Sequence, residues 1–347
     1  MPIDEVLVSA VPGDCRAAAL HQGTLVRLAW RAGDGQPRAG DLFLGRVTGL
    51  SPAIGAAFVE LGSGPPGLLM FADALAGHRP SQGEPVLVTV LREAEAGKGP
   101  KLSARLPVGT DRPVATGGVR PPCRIARGPD PVTELVRAAA DAGVERVIVD
   151  DAAELSALRA AVAAIAARLR LWLEPEPLFA RAGADAAIEQ ALSPLVPLPG
   201  GGRLRIEEAT ALTSIDVDMG GGQASSAKAS ALACDLEAAE AIGREILVRD
   251  IGGLVVIDFV PLRRPAERAR VIDALGRALG DGALACDGER RLRIAGWTRL
   301  GLVELSRERR GPSLARRLAE PCAACAGSGW RLCVRRTGET AAGGHAS

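Results

Sequence analysis

The sequence predicts a multidomain α/β (α+β) chain with a small β-barrel in its N-terminal half. Three observations carry that prediction. Residues 40–105 hold five short apolar runs, at 41–48, 56–61, 67–71, 85–91 and 101–104, punctuated by glycine. Strands so closely spaced suggest a small barrel, and the OB fold is the small barrel that commonly binds oligonucleotides. Past residue 124, strand patterns alternate with helix patterns, the mark of an α/β layer. Between the two lies 107–123, a proline- and glycine-rich stretch without periodicity, which reads as linker.

In chain order, residues 3–10 and 16–30 read as an N-terminal hairpin, followed by the five barrel strands and the linker. A helix over 131–142 and a strand over 146–149 come next. A second helix opens at Asp150-Asp151 and carries Leu155, Leu158, Val162, Ile165 and Leu169 at spacings of three and four. From Arg203 the expected elements are strands 203–207 and 213–217, a helix over about 228–249, strand 254–260, helix 265–279 and strand 290–295. No internal repeat is visible.

With 347 residues, 47% hydrophobic and 24% charged, the chain can bury a sizeable core. No run of about 18 apolar residues suggests a membrane span. The start, Met1-Pro2-Ile3-Asp4-Glu5, lacks the basic-then-apolar order of a signal peptide. Seven cysteines at uneven spacing do not form a disulfide framework, so the cytoplasm is the expected location. The net charge of +1 hides a gradient: residues 131–260 sum to −9 and residues 261–347 to +8. An acidic segment followed by an arginine-rich one suits a metal-dependent phosphodiesterase, in which carboxylates hold an ion and arginines hold a polyanion near it. The clusters Arg290-Arg291-Leu292-Arg293 and Arg307-Glu308-Arg309-Arg310 are the candidates for the second task.

Two acidic strands carry the chemistry: Ser214-Ile215-Asp216-Val217-Asp218 and Val255-Val256-Ile257-Asp258-Phe259. Packed side by side they bring Asp216 and Asp258 together, and two carboxylates that close call for a cation. Magnesium, which keeps most of its waters, suits one or two carboxylates and a phosphate. The alternative is that both are solvated strand-end residues. Near the C-terminus, Cys322 and Cys325 form one CxxC, half of a tetrahedral zinc shell.

The segments Ala211-Leu212-Thr213-Ser214-Ile215-Asp216-Val217-Asp218, Leu236-Glu237-Ala238-Ala239, Arg249-Asp250-Ile251-Gly252-Gly253 running into the second acidic strand, and Leu300-Gly301-Leu302-Val303-Glu304-Leu305-Ser306-Arg307 closely resemble the catalytic core of the ribonuclease E/G family. Cys322-Ala323-Ala324-Cys325-Ala326-Gly327-Ser328-Gly329 resembles its zinc-link. Gly45-Arg46-Val47 and Ala56-Ala57-Phe58-Val59-Glu60-Leu61-Gly62 resemble its OB-fold (S1-type) insert. The resemblance implies an RNase H-like subdomain in two parts, 1–38 and 124–200, interrupted by an RNA-binding barrel at 39–106. A DNase I-like catalytic subdomain at 201–320, the zinc-link at 321–330 and a tail at 331–347 would follow.

It also implies a magnesium-dependent endoribonuclease that hydrolyses single-stranded RNA, leaving 5′-phosphate and 3′-hydroxyl ends, in RNA processing or decay. Asp216 and Asp258 would bind the ion. Asp218 stands where the family usually has an asparagine thought to orient the attacking water; aspartate keeps the acceptor and loses the donor. Cys322 and Cys325 would share a four-thiolate zinc site with the same pair of a second protomer, giving a homodimer; Cys333 is the in-chain alternative. Phe58, Lys98, Arg46 and Arg307 are the expected RNA contacts, although Phe58 could be barrel core and Arg46 a solvated strand charge. Leu61 and Leu68 stand where stacking aromatics are expected, so RNA binding should be mostly electrostatic. Residues 107–123 occupy the interval of the family's 5′-monophosphate sensor, and the small C-terminal domain is not seen, so the chain resembles a minimised member. A catalytically silent RNA-binding protein and a DNA phosphodiesterase are the rival readings.

Overall fold

The structure is a computed structural model in which residues 3–11, 13–33, 35–75, 78–95, 97–105, 118–220, 231–281, 291–320 and 322 are described. Three sheets organise them. The chain opens with β1 (Glu5–Val11), β2 (Asp14–His21) and β3 (Thr24–Ala32), two successive antiparallel hairpins. The single run expected over 16–30 is thus two strands. Gln22 and Gly23, at φ 49° and 75°, turn the chain between them, the backbone that a two-residue hairpin loop requires.

The barrel follows: β4 (Leu42–Ser51), β5 (Ala56–Glu60), β6 (Gly67–Met70), β7 (Pro85–Arg92) and β8 (Lys101–Ser103). Strand β4 pairs with both β5 and β7, β5 with β6, β6 in parallel with β8, and β8 with β7, so five strands close on themselves. Phe43, Val59, Leu69, Val88 and Leu102 fill the inside. Because β5 pairs only with residues 46–51 of β4, residues 42–44 keep an open edge. Strand β9 (Cys123–Ala126), at the end of the expected linker, fills it.

Helix α1 (Pro131–Asp141) starts where Asp130 Oδ1 accepts from Thr133 N. Strand β10 (Arg146–Val149) runs parallel to β1, helix α2 (Ala152–Ala161) is capped by Asp151, and β11 (Leu169–Leu171) runs parallel to β10. The helix expected to reach Leu169 ends eight residues earlier, because Leu169 is the first residue of β11, in register with Val147. Helices α3 (Leu178–Arg181) and α4 (Ala184–Leu192) complete this layer. The first sheet, in the order β11-β10-β1-β2-β3, is covered on both faces, by α1 and α2 on one and by α3 and α4 on the other.

The second layer comprises β12 (Leu195–Pro197), β13 (Arg203–Glu208), β14 (Thr213–Asp218), α5 (Ala231–Val248), β15 (Gly253–Asp258), α6 (Pro265–Asp281), β16 (Leu292–Trp297), β17 (Val303–Arg307) and α7 (Leu314–Leu318). Its sheet runs β12-β13-β14-β15-β17-β16. Strands β14 and β15 are parallel, which requires a crossover, and α5 provides it. Helices α5 and α6 pack over one face, against Ile215, Val217, Val255, Ile257, Val303 and Leu305. The barrel leans on this layer through Glu93 and Glu95. Glu93 N donates to Arg310 O (2.8 Å) and Glu93 accepts from Arg317 (3.0 Å), while Glu95 pairs with Arg309 (3.7 Å) and Arg316.

Candidate active site

Strand β14 alternates. Thr213, Ile215 and Val217 enter the core, so Ser214, Asp216 and Asp218 face the other way. Strand β15 lies beside it with Ile215 opposite Ile257 and Asp216 opposite Asp258. Adjacent strands lie about 4.8 Å apart, so the two exposed carboxylates share one rank on the open face. The apolar partners fix that register: Ile215 is 1% and Ile257 0% exposed, and a one-residue slip would bury the carboxylates and expose both isoleucines.

Among the described residues no hydrogen bond or ion pair engages Asp216 or Asp258. Two uncompensated carboxylates side by side form the oxygen donor set that a hard divalent cation takes. Groups of three or more potential metal ligands do not occur among the described residues. Two protein oxygens, with the other positions left to water and substrate, would fit magnesium.

Asp218 sits on the same face one rank further. Its Oδ1 accepts from Gly220 N at 2.9 Å and its Oδ2 from Arg203 Nη2 at 2.6 Å. The Gly220 N–H and then the Arg203 guanidinium hold this carboxyl below the usual aspartate range. Gly220 adopts φ 75°, and a Cβ there would lie 2.5 Å from Gly201 O. Both Asp218 oxygens thus have partners of their own. Arg205 lies opposite Asp216 and pairs along its strand with Glu207 at 2.6 Å. Glu304 and Arg293 add an exposed carboxylate and guanidinium from β17 and β16.

Behind this rank, on α5, lies Asp235, 0% exposed. Its Oδ1 accepts from Val260 N at 3.0 Å, and burial pushes its pKa up to about 7. The sequence reading missed Arg203, Arg205, Glu304 and Asp235. Signals for them existed: Arg203 and Arg205 alternate with buried Leu204 and Ile206, and Asp235 falls three residues after Leu232 on the inward stripe of α5.

Arg307 is corrected by the structure. Expected as an RNA contact, it is 3% exposed and donates from Nη1 to Asp250 Oδ1 and Ile251 O, both at 2.8 Å. Its guanidinium holds the turn that leads into β15, and Arg309 does the same through Gly252 O. Of the barrel candidates, Phe58 is 37% exposed on β5, outside the barrel core. Arg46 donates from Nη1 to Gly83 O at 2.9 Å. Lys98 is exposed in a small turn bridged to Glu95. Cys322 is an exposed free thiol. Cys325, Cys333 and the glycines of the expected zinc-link lie outside the described residues.

The sequence profile of the Ribonuclease E/G family matches residues 113–310, more than half of the chain. The chain is similar to ribonuclease E of Nostoc sp., 32% identical over 237 residues, which is 64% of this chain and 32% of that protein. It is similar to the chloroplastic ribonuclease E/G-like protein of Arabidopsis thaliana, 36% identical over 47% of this chain and 16% of the relative. With ribonuclease G of Haemophilus influenzae it shares 33% identity over 47% of this chain and 32% of the relative. The chain thus spans about a third or less of the length of these relatives.

Proposed function

The chain belongs to the ribonuclease E/G family, and from that premise we propose that it is a magnesium-dependent endoribonuclease acting on single-stranded RNA in processing or decay, in the cytoplasm. One observation carries the reading: the register that sets Asp216 beside Asp258, with no ion pair among the described residues, on the open face of the sheet. Asp216 and Asp258 hold the ion. When bound, it supplies a Lewis acid that neutralises charge developing on the non-bridging phosphate oxygens, and the products carry 5′-phosphate and 3′-hydroxyl ends. Arg293 puts positive charge on the same face, where a polyanion must lie, and Arg203 and Arg205 stand there paired with Asp218 and Glu207. Asp218, steadied by Gly220 and Arg203, presents a fixed acceptor beside the reacting phosphate.

The barrel, an OB fold, steadies the single strand through Phe58, Arg46 and Lys98, mostly by charge. The two flanking layers are an RNase H-like subdomain and a DNase I-like catalytic subdomain. Cys322 and Cys325 bind zinc together with the same pair of a second protomer, so the working unit is a homodimer with one zinc per two chains. Cleavage is indifferent to the 5′ end of the RNA, because in the sequence of residues 107–123 Arg112 and Arg120 stand apart within a proline- and glycine-rich stretch, and telling a monophosphate from a triphosphate takes several donors together.

A second reading, an RNA-binding protein without activity, is favoured by Asp218, whose carboxylate adds negative charge where the scissile phosphate must sit. Labelled single-stranded RNA and DNA, with 5′-monophosphate or 5′-triphosphate ends, incubated with magnesium or EDTA, separate the readings. Cleavage of RNA alone, only with magnesium and at equal rates for both ends, is the expected result. Binding without cleavage supports the silent protein, and cutting of DNA a broader phosphodiesterase.

A further inference from the structure

Asp235 is a buried carboxyl that the chemistry above does not use. It lies one turn into α5 among the apolar side chains of the second layer, and its Oδ2 has no hydrogen-bond partner among the described residues. Burying a carboxyl in such a place is costly, and an apolar residue would pack there without that penalty. The compensating contact is its Oδ1, which accepts from Val260 N.

Val260 lies just past the end of the ladder. Pairing of β15 with β14 ends at Asp258, and pairing with β17 ends at Ile257. Beyond that point the sheet offers no acceptor, and a backbone N–H turned inward needs one. Asp235 supplies it from the helix beneath. Asp258 is therefore held from both sides along the chain. Ile257 and Phe259, 0% and 2% exposed, anchor its neighbours in the core, and the Asp235–Val260 bond fixes the exit of the strand. The Asp258 carboxylate itself is exposed and has no hydrogen bond or ion pair among the described residues, so its direction depends on how firmly its backbone is held.

We propose that Asp235 is a positioning residue for the metal site: by tying the chain after β15 to α5, it aims the Asp258 carboxylate at the place it shares with Asp216. The proposal rests on the reading that Asp216 and Asp258 hold the ion. Groups that orient metal ligands at one remove are worth 10–100-fold in metal affinity.

The test is calorimetric titration of magnesium into the full chain, for wild type, Asp235→Asn, Asp235→Leu and Asp235→Ala, with a thermal melt of each. Asparagine keeps an oxygen that can accept from Val260 N, and affinity should stay within about threefold. Leucine removes the acceptor and should weaken magnesium binding about tenfold or more, while its melting temperature stays close to that of wild type, relief of the buried carboxyl offsetting the N–H left without a partner. Affinity lost together with melting temperature in the leucine protein, and retained in Asp235→Ala, would overturn the proposal in favour of a purely structural role. So would wild-type affinity in Asp235→Leu. Wild-type protein that takes up no magnesium, or takes it up equally after Asp216→Ala, would instead overturn the metal site itself.

Discussion

The two helix-backed sheets are built from similar apolar strands, yet they differ in what lies over them. In the first, α1 and α2 cover one face and α3 and α4 the other, and β1 is buried at four successive positions, Val6 to Ser9. In the second, α5 and α6 cover one face, no described element covers the other, and β14 alternates strictly between inside and outside. A strand enclosed on both sides has no side left for chemistry. A strand enclosed on one side displays every second residue, and its apolar residues lock the register. Carboxylates on neighbouring strands then become a pair without any further device. The bare face is the functional difference between two layers that otherwise use the same materials.

That contrast predicts opposite behaviour on substitution. The largest effect belongs to the bare face: Asp216→Ala or Asp258→Ala should lower magnesium-dependent RNA cleavage by about 10³-fold. The melting temperature should not change, because neither side chain fills core volume. Leu7→Ala in the enclosed sheet, where the side chain is 1% exposed, should do the reverse. It should cost about 2–5 kcal/mol in urea unfolding and leave cleavage per folded molecule unaltered.

Asp235 lies between these cases, on the covered side of the open sheet. Its pKa is raised from 3.8 to about 7 by burial, so the folded chain holds a proton that the unfolded chain releases. The stability this gives is fully present below about pH 4 and is lost as pH rises through about 7, on the order of 1 kcal/mol per pH unit within that window. Asp235→Asn should flatten that slope in unfolding measured from pH 5 to 8. A slope unchanged by the substitution would show that the carboxyl is not held neutral. The smallest effect concerns the barrel. Phe58 is the exposed aromatic on β5, and Phe58→Ala should weaken binding of single-stranded RNA by about 1 kcal/mol, the low end for one stacked base. A hundredfold loss would show a stacking platform rather than a surface that binds mainly by charge.

Much of the second layer was readable in advance because period-two strands and period-3.6 helices alternate there without ambiguity. The strand expected at 213–217 is β14, and the helix expected at 265–279 is α6. Failures came where one pattern serves two structures. The spacing of Leu155 to Leu169 fits a single helix, yet the last of these residues begins a parallel strand. Arg307 was misread because its charge was weighed and its parity was not. Val303 and Leu305 face inward, so Arg307 must as well, and Asp250 with the Ile251 carbonyl makes its burial tolerable. Asp235 escaped for the same reason, a charged residue on an inward stripe. The pairing of Arg203 with Asp218 depends on strand register, which composition does not reveal.

The claim that Asp258 is a ligand of the catalytic ion can be tested by changing the ligand and the ion together. In Asp258→Cys a thiolate replaces the carboxylate, a soft donor that binds magnesium poorly and cadmium well. RNA cleavage by this variant should be absent in magnesium and return on addition of cadmium, while Asp258→Ala stays inactive in both. Cleavage by Asp258→Cys in magnesium at the wild-type rate would contradict the account.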